Sequence, residues 1–181
     1  ALVLTADPAC AAYELAAGRL LWSVDCLSGE VGAAAAAAAG RVFAANAYAR
    51  ATAIAIGDGA APRVLWTWDE ALPDAASPVA DETALVVPTA EGRVTCLDAQ
   101  TGAVRWEHEF ETGFYASPVR AGDSVYLTDL KGRTHVIEAG AAFRERGRGD
   151  VGEPVHATPA FGNGRLYIRG RARLYGIGHE R

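Results

Sequence analysis

The chain has 181 residues, close to the length of one ordinary domain, and a formal net charge of −5. Half of it is nominally apolar, although 39 of those residues are alanine, and aromatic and charged residues make up 8% and 22%. This balance excludes a disordered tail and a collagen-like fibre, no apolar run is long enough to span a bilayer, and no global basic field exists to recruit nucleic acid.

The chain opens inside an apolar run, Ala1-Leu2-Val3-Leu4, and contains no methionine. Such an opening predicts a mature or truncated product that starts at the second strand of a structural unit. Seven alanines follow at 33–39, between Gly32 and Gly40. Intrinsic propensity favours a helix there. Repeat register instead places the run at an innermost strand and its turn, so the expectation is a partly extended segment. Val42-Phe43 then falls at a second-strand position.

The clearest unit spans residues 75–113. Ser77-Pro78-Val79-Ala80 reads as a short strand entered through a proline, where no ladder donor is needed. Leu85-Val86-Val87 is a second strand, and Val94-Thr95-Cys96-Leu97-Asp98 an alternating third. Thr101-Gly102 makes a hairpin and Val104-Arg105-Trp106-Glu107 closes the unit. Ala76-Ser77-Pro78-Val79 returns as Ala116-Ser117-Pro118-Val119 and, loosely, as Ala157-Thr158-Pro159-Ala160, at shifts of 40 and 41 residues. Gly92-Arg93 and Gly132-Arg133 are 40 apart, as are Trp66 and Trp106, with Trp22 a further 44 upstream. Val125-Tyr126-Leu127 and Leu166-Tyr167-Ile168 take the second-strand position in the later units. Four short antiparallel strands per forty-odd residues predict an all-β propeller blade. The expected blades are 1–31 (partial), 32–73, 74–113, 114–154 and 155–181 (three-stranded), about four to five in one domain.

Three cysteines, Cys10, Cys26 and Cys96, cannot all pair, and none has the spacing of a zinc site. Buried unpaired thiols are expected, with no metal site.

The stretch Leu97-Asp98-Ala99-Gln100-Thr101-Gly102-Ala103-Val104-Arg105-Trp106 resembles the tryptophan-docking motif of pyrroloquinoline-quinone (PQQ)-like β-propellers. The match is full only there. Glu14, Gly18 and Trp22 keep three positions, Gly59 and Trp66 keep two, and in the fourth unit Ala141-Ala142 replaces Thr-Gly while Arg146 stands at the tryptophan. The resemblance implies blade-docking roles for Trp22, Trp66, Trp106, Asp98, Thr101 and Gly102. It also implies a ring closed by an N-terminal strand, and a chain that forms the C-terminal half of a longer propeller. A small ring of about five blades, closed by residues 1–4, is the alternative.

Catalysis does not travel with a fold. Enzymes of this family hold PQQ and Ca²⁺, yet no compact calcium-ligand cluster can be assigned here, and Asn46 and Asn163 are the only asparagines. The expected function is therefore a non-enzymatic scaffold or interaction module without a cofactor. It is similar to the bacterial repeat family that includes the BamB-like lipoprotein of outer-membrane β-barrel assembly, which implies an extracytoplasmic setting. The alternatives are a fragment of a PQQ- and calcium-dependent quinoprotein dehydrogenase and the sensor domain of a membrane receptor or kinase.

Loops around the axial funnel are the candidate binding surface for a protein partner or small ligand. Asp74, Phe114-Tyr115 and Val155-His156 precede innermost strands, while Glu91, Asp129, Lys131, Arg169 and Arg171 lie between second and third strands. Tyr115 and His156 occupy equivalent positions and can contact one ligand together; equally, Tyr115 can pack on its neighbour while His156 is solvated. Lys131 is the only lysine. Residues 1–140 hold nine basic and eighteen acidic residues (net −9), and residues 141–181 eight and four (net +4). Arg144, Arg146 and Arg148, and separately Arg169, Arg171 and Arg173, share one face if extended. They form either a docking patch for an acidic partner or anionic membrane surface, or a solvated face.

Overall fold

The computed structural model describes residues 1–57 and 61–178. Among them every regular element is a β-strand, and the strands form five antiparallel sheets in chain order. The first holds β1 (Leu2–Ala6), β2 (Ala9–Tyr13) and β3 (Leu20–Asp25). The second holds β4 (Ala36–Ala38), β5 (Arg41–Ala45), β6 (Ala51–Ala55) and β7 (Arg63–Trp68). β8 (Val79–Ala80), β9 (Ala84–Pro88), β10 (Arg93–Asp98) and β11 (Val104–Glu109) make the third. β12 (Val119–Ala121), β13 (Ser124–Thr128), β14 (Arg133–Glu138) and β15 (Arg144–Asp150) make the fourth, and β16 (Ala160–Gly162), β17 (Arg165–Arg169) and β18 (Leu174–Ile177) the fifth.

Each sheet is an up-and-down meander. Register with the complete sheets shows that, among the described residues, the first lacks an innermost strand and the last an outermost one. Among the described residues β1 pairs only with β2 and β18 only with β17, so the five sheets form an open part of a ring. No pairing between the two end sheets closes the described residues into a small five-bladed ring. The alanine run is extended as β4, turned by Ala39 and Gly40 at φ 47° and 70°. Pairing with Val42 and Phe43 overrides the helical preference of alanine.

The core lies in the seams between sheets. Phe43, Ala53 and Trp68 of the second sheet pack on Leu85, Val87 and Leu97 of the third. One seam on, Val86, Cys96 and Trp106 pack on Val125, Leu127 and Ile137. The first seam sets Cys10, Trp22 and Val24 against Val42, Ala44 and Ile54.

In each of the first four sheets a β-bulge sits on the outermost strand, opposite the third. The residue after the bulge is Trp22, Trp66 or Trp106 in the first three, paired with Ala12, Ala53 and Cys96. Trp66 Nε1 donates to the Ala99 carbonyl of the next sheet at 3.3 Å, and Trp106 Nε1 to that of Gly140 at 3.2 Å. The Trp66 ring lies on the Asp98–Gly102 turn. A Cβ on Gly102, which has φ +76°, would stand 2.7 Å from the ring, so glycine is required both for the turn and for the stacked ring. Asp98 fixes the same turn: Oδ1 accepts from the amides of Gln100 and Thr101 and from the Thr101 hydroxyl, and Oδ2 from Arg105. The Arg105 hydrogen bond first, then those from Thr101, hold its carboxyl well below the usual range. Gly59 lies outside the described residues.

The fourth sheet corrects one assignment. Val136 pairs with Gly147 and Ile137 with Glu145, so the bulge residue is Arg146. Arg146 corresponds to Arg105, and like it bonds the acid at the end of the third strand, here Glu138 at 2.5 Å. Gly147, not Arg146, takes the tryptophan's place.

At the hub, a hydroxyl relay links the sheets. The Ala34 amide donates to Ser77 Oγ at 2.9 Å, the Ser77 amide to Ser117 Oγ at 2.9 Å, and the Ser117 amide to Thr158 Oγ1 at 3.1 Å. An amide at the inner edge of a sheet has no strand to bond, and the next sheet's hydroxyl satisfies it. The proline that follows each hydroxyl residue has no N–H to satisfy.

All three cysteines are buried and unpaired. Burial pushes the Cys10 and Cys96 thiols up to about 12 from 9.0, and raises Cys26 as well. The folded thiols stay protonated where unfolded ones ionise. Their contribution to stability is complete below the unfolded value and is lost as pH rises from there towards the folded values. The denaturation midpoint should therefore fall as pH rises beyond about 9, and the thiols should ignore Ellman's reagent at about pH 8 until the chain is denatured. Rapid native-state labelling would contradict this packing. Replacing Trp106 with alanine should cost about 3–5 kcal/mol in chemical denaturation; a cost below about 1 kcal/mol would show that the indole does not seal its seam.

Candidate functional site

The connections that precede each innermost strand and the turns between second and third strands interlock near the hub. Leu130 of the fourth sheet donates its amide to Gly113 O at 3.0 Å, and Arg171 of the fifth repeats the contact with Pro154 O at 3.1 Å. The Phe114 amide bonds Thr89 O at 3.1 Å. Gly113 passes so close to Ala90 that a Cβ there would overlap the Ala90 carbonyl. These ties turn otherwise irregular backbone into a fixed frame.

Two clefts open on this frame. One, of about 590 Å³, is lined by Leu130, Pro154, His156, Ala157, Arg169, Gly170 and Arg171. The other, of about 560 Å³, is lined by Glu30, Val31, Gly32, Tyr48, Asp74, Ala75 and Tyr115. Tyr115 is 48% exposed, and its ring centroid is 6.0 Å from that of the exposed His156. The two rings thus stand side by side, with Arg169 and Arg171 on the His156 side and Asp74 and Glu30 on the Tyr115 side.

Glu153 holds the arginine-bearing turn. Its carboxylate accepts from the amides of Ala172 at 2.7 Å and Arg173 at 3.1 Å and from the Tyr175 hydroxyl at 2.8 Å. The Ala172 amide, then the Tyr175 hydroxyl, hold its carboxyl below the usual range. The turn presents two guanidinium groups on a backbone pinned from outside.

The structure brings His156, Arg169 and Arg171 into one cleft and Tyr115 to its border. Lys131 is exposed on the adjacent turn, where its amide bonds Asp129 Oδ1 at 2.9 Å, and it lines neither cleft. Phe114 and Val155 are fully buried and belong to the packing beneath.

The arginine triplets are not single faces. β17 ends at Arg169, and a turn separates it from Arg173. In β15 the bulge breaks the alternation, so Arg144 pairs with Glu138 and Arg148 with His135, residues on opposite faces of β14.

Sequence reading missed a buried polar group beneath the frame. His135 Nδ1 lies 2.9 Å from Glu145 Oε1, and Nε2 lies 3.7 Å from Asp129 Oδ2. Asp129 also accepts the amides of Lys131 and Arg133 at 2.9 Å each, fixing the turn that carries Leu130. The only sequence signal was that Asp129 recurs one period after Thr89, whose hydroxyl accepts the Arg93 amide. Among the described residues no group of three or more His, Cys, Asp or Glu side chains converges as a metal site. Asn46 is fully buried, its amide nitrogen donating to the Ser28 and Glu30 carbonyls while its Oδ1 meets no donor among the described residues.

Comparisons with known proteins agree with this architecture. BamB from Moraxella catarrhalis superposes with a TM-score of 0.75 at 15% identity, covering 97% of this chain and 56% of that one. The computationally designed Ika8 protein gives 0.74 at 12% identity, with 97% and 57% covered. Saccharomyces cerevisiae Sqt1 gives 0.70 at 14%, with 98% and 55% covered. At these identities the likeness is one of fold, and the chain spans a little over half the length of the structures it matches. No curated protein matches it. The family described as outer membrane protein assembly factor BamB matches residues 1–142. That match covers well over half of the sequence, and the sheets it spans carry the indole-sealed seams, so the chain belongs to the BamB family of PQQ-like β-propellers.

Proposed function

We propose that the chain is a rigid, non-catalytic docking module that takes an extended protein segment on its hub-facing loops. The observation that carries this reading is the paired cleft around Tyr115 and His156, with acidic side chains at one end and Arg169 and Arg171 at the other. An extended segment laid across it gains an aromatic platform at the centre and charge pairing at its acidic end. Preformed loops lose little entropy on binding, and charge across the face favours encounter in one orientation.

An extracytoplasmic setting and completion of the ring by further sheets belong to the same reading. They are supported by the family, by the open edges of the first and last sheets, and by the greater length of the matched structures. No helix among the described residues is long and apolar enough to cross a membrane. The residues here do not fit calcium and quinone. Calcium needs six to eight converging oxygens; Asp129 and Glu153 spend their carboxylates on backbone amides, Glu30 and Asp74 are the two acidic residues of their cleft, and no group of three or more such side chains converges among the described residues. No reaction step is assigned to this chain.

Two measurements check the proposal. A fluorescently labelled Glu/Tyr-rich peptide should bind with saturable anisotropy that weakens with salt, and the double replacement Arg169→Glu and Arg171→Glu should weaken it about tenfold or more, the scale of losing two charge-assisted contacts. Unchanged binding by a folded double variant would remove the cleft from the account. Incubation with PQQ and Ca²⁺ should give no alcohol- or sugar-dependent dye reduction, and saturable turnover would overturn the non-catalytic reading.

A further inference from the structure

The seam between the fourth and fifth sheets keeps the second- and third-strand walls of the preceding seams but not their filling, and the described residues of the fifth sheet end at its third strand. By strand pairing, Phe43 and Val86 correspond to Tyr126, and Ala53 and Cys96 to Val136. On the facing sheet, Leu85 and Leu97 correspond to Val125 and Ile137 one seam on, and to Leu166 and Ile177 here. Apart from Thr134 and the Tyr126 hydroxyl, the wall beneath the rim is apolar. The filling residues are different. Trp66 and Trp106 become Gly147, and two residues further along the same strand Trp68 and His108 become Gly149.

The consequence is a cleft of about 350 Å³ in which Val136, Leu166, Ile168 and Ile177 surround the two glycines. A Cβ built on either glycine meets none of the described residues within 4 Å, so among them the space beside the outer strand is open. The two preceding seams are closed hydrophobic clusters at the corresponding place. The volume lies at the small end of ligand sites, about 300–1,000 Å³. Apolar walls facing water are unfavourable, and neighbouring sheets about 10 Å apart leave a slot suited to a flat ring. In the filled seams that ring is an indole.

We infer that the seam between the fourth and fifth sheets is a binding site for a small, flat, neutral aromatic molecule of indole size, which occupies the position that tryptophan takes in the preceding seams. Arg148 and Asp150 at the rim carry opposite charges, so the mouth favours neither an anionic nor a cationic ligand. The inference is independent of the hub-face reading, since the cleft shares no residue with the Tyr115 and His156 clefts.

The test is titration of free indole into the full chain, followed through backbone amide shifts in ¹H–¹⁵N spectra. Saturable shifts are expected at Gly147, Gly149 and Ile168, and not at Tyr115 or His156. Gly147→Trp should abolish them and raise the unfolding temperature, because its own indole then fills the slot. Gly149→Leu occludes the same space with a smaller side chain and should also abolish them, which covers the case in which the first variant fails to fold. Absence of saturable shifts in the unsubstituted chain, or their survival in a folded variant of either kind, would overturn the inference.

Discussion

Burial of sheet faces against the next sheet is the constraint on which the rest of this structure depends. A single four-stranded meander of short strands cannot bury its apolar faces alone, and stacking sheets side by side buries both faces of each inner one. The quality of each seam is decided at one position, the residue following the outer-strand bulge. The bulge locally sharpens the strand's twist, and the indole that follows it reaches the carbonyl of the next hairpin. Gly102 exists in its present form because that ring lies on it. Where the position is Gly147, the walls persist and the seal does not.

The hub is ordered by a different interaction. Short inner strands expose amides that no strand can reach, and Ser77, Ser117 and Thr158 supply hydroxyls across the gap. With the inner strands tied together, the connections leading into them become fixed. Asp129 and Glu153 then pin the adjacent turns from within and without. Tyr115, His156, Arg169 and Arg171 owe their common placement to these ties, since they come from two different sheets and no sequence-local interaction joins them.

Much of the architecture was legible because propeller units repeat. The forty-residue recurrence of Ser-Pro, Gly-Arg and Trp reports the same local geometry rebuilt in each sheet, and it placed the alanine run in a strand against its own propensity. The equivalence of Tyr115 and His156 came from the same register. The one misplaced residue has a physical cause. Cys96 and its partner Trp106 are ten residues apart, whereas Val136 and Gly147 are eleven. The longer connection shifts the bulge, so a fixed count lands on Arg146. The same local irregularity defeats the expectation of an arginine face on β15. The His135, Glu145 and Asp129 group was not legible, because side chains from two strands and a turn meet only once the sheet is paired. The Ser and Thr hydroxyls were visible only as repeat markers, since their partners lie one sheet away.

Native-state hydrogen exchange at the Ser77 and Ser117 amides measures the sheet-to-sheet stacking most directly. Both sit at the hub edge of their sheets, where no strand ladder protects them, and only the hydroxyl of the next sheet does. The account requires both to exchange slowly, on the scale of global unfolding rather than of fraying edges, with the Ser77 amide accelerated when Ser117 is replaced by alanine. Exchange of both at the rate of free peptide would mean that the sheets do not stand side by side about a common hub.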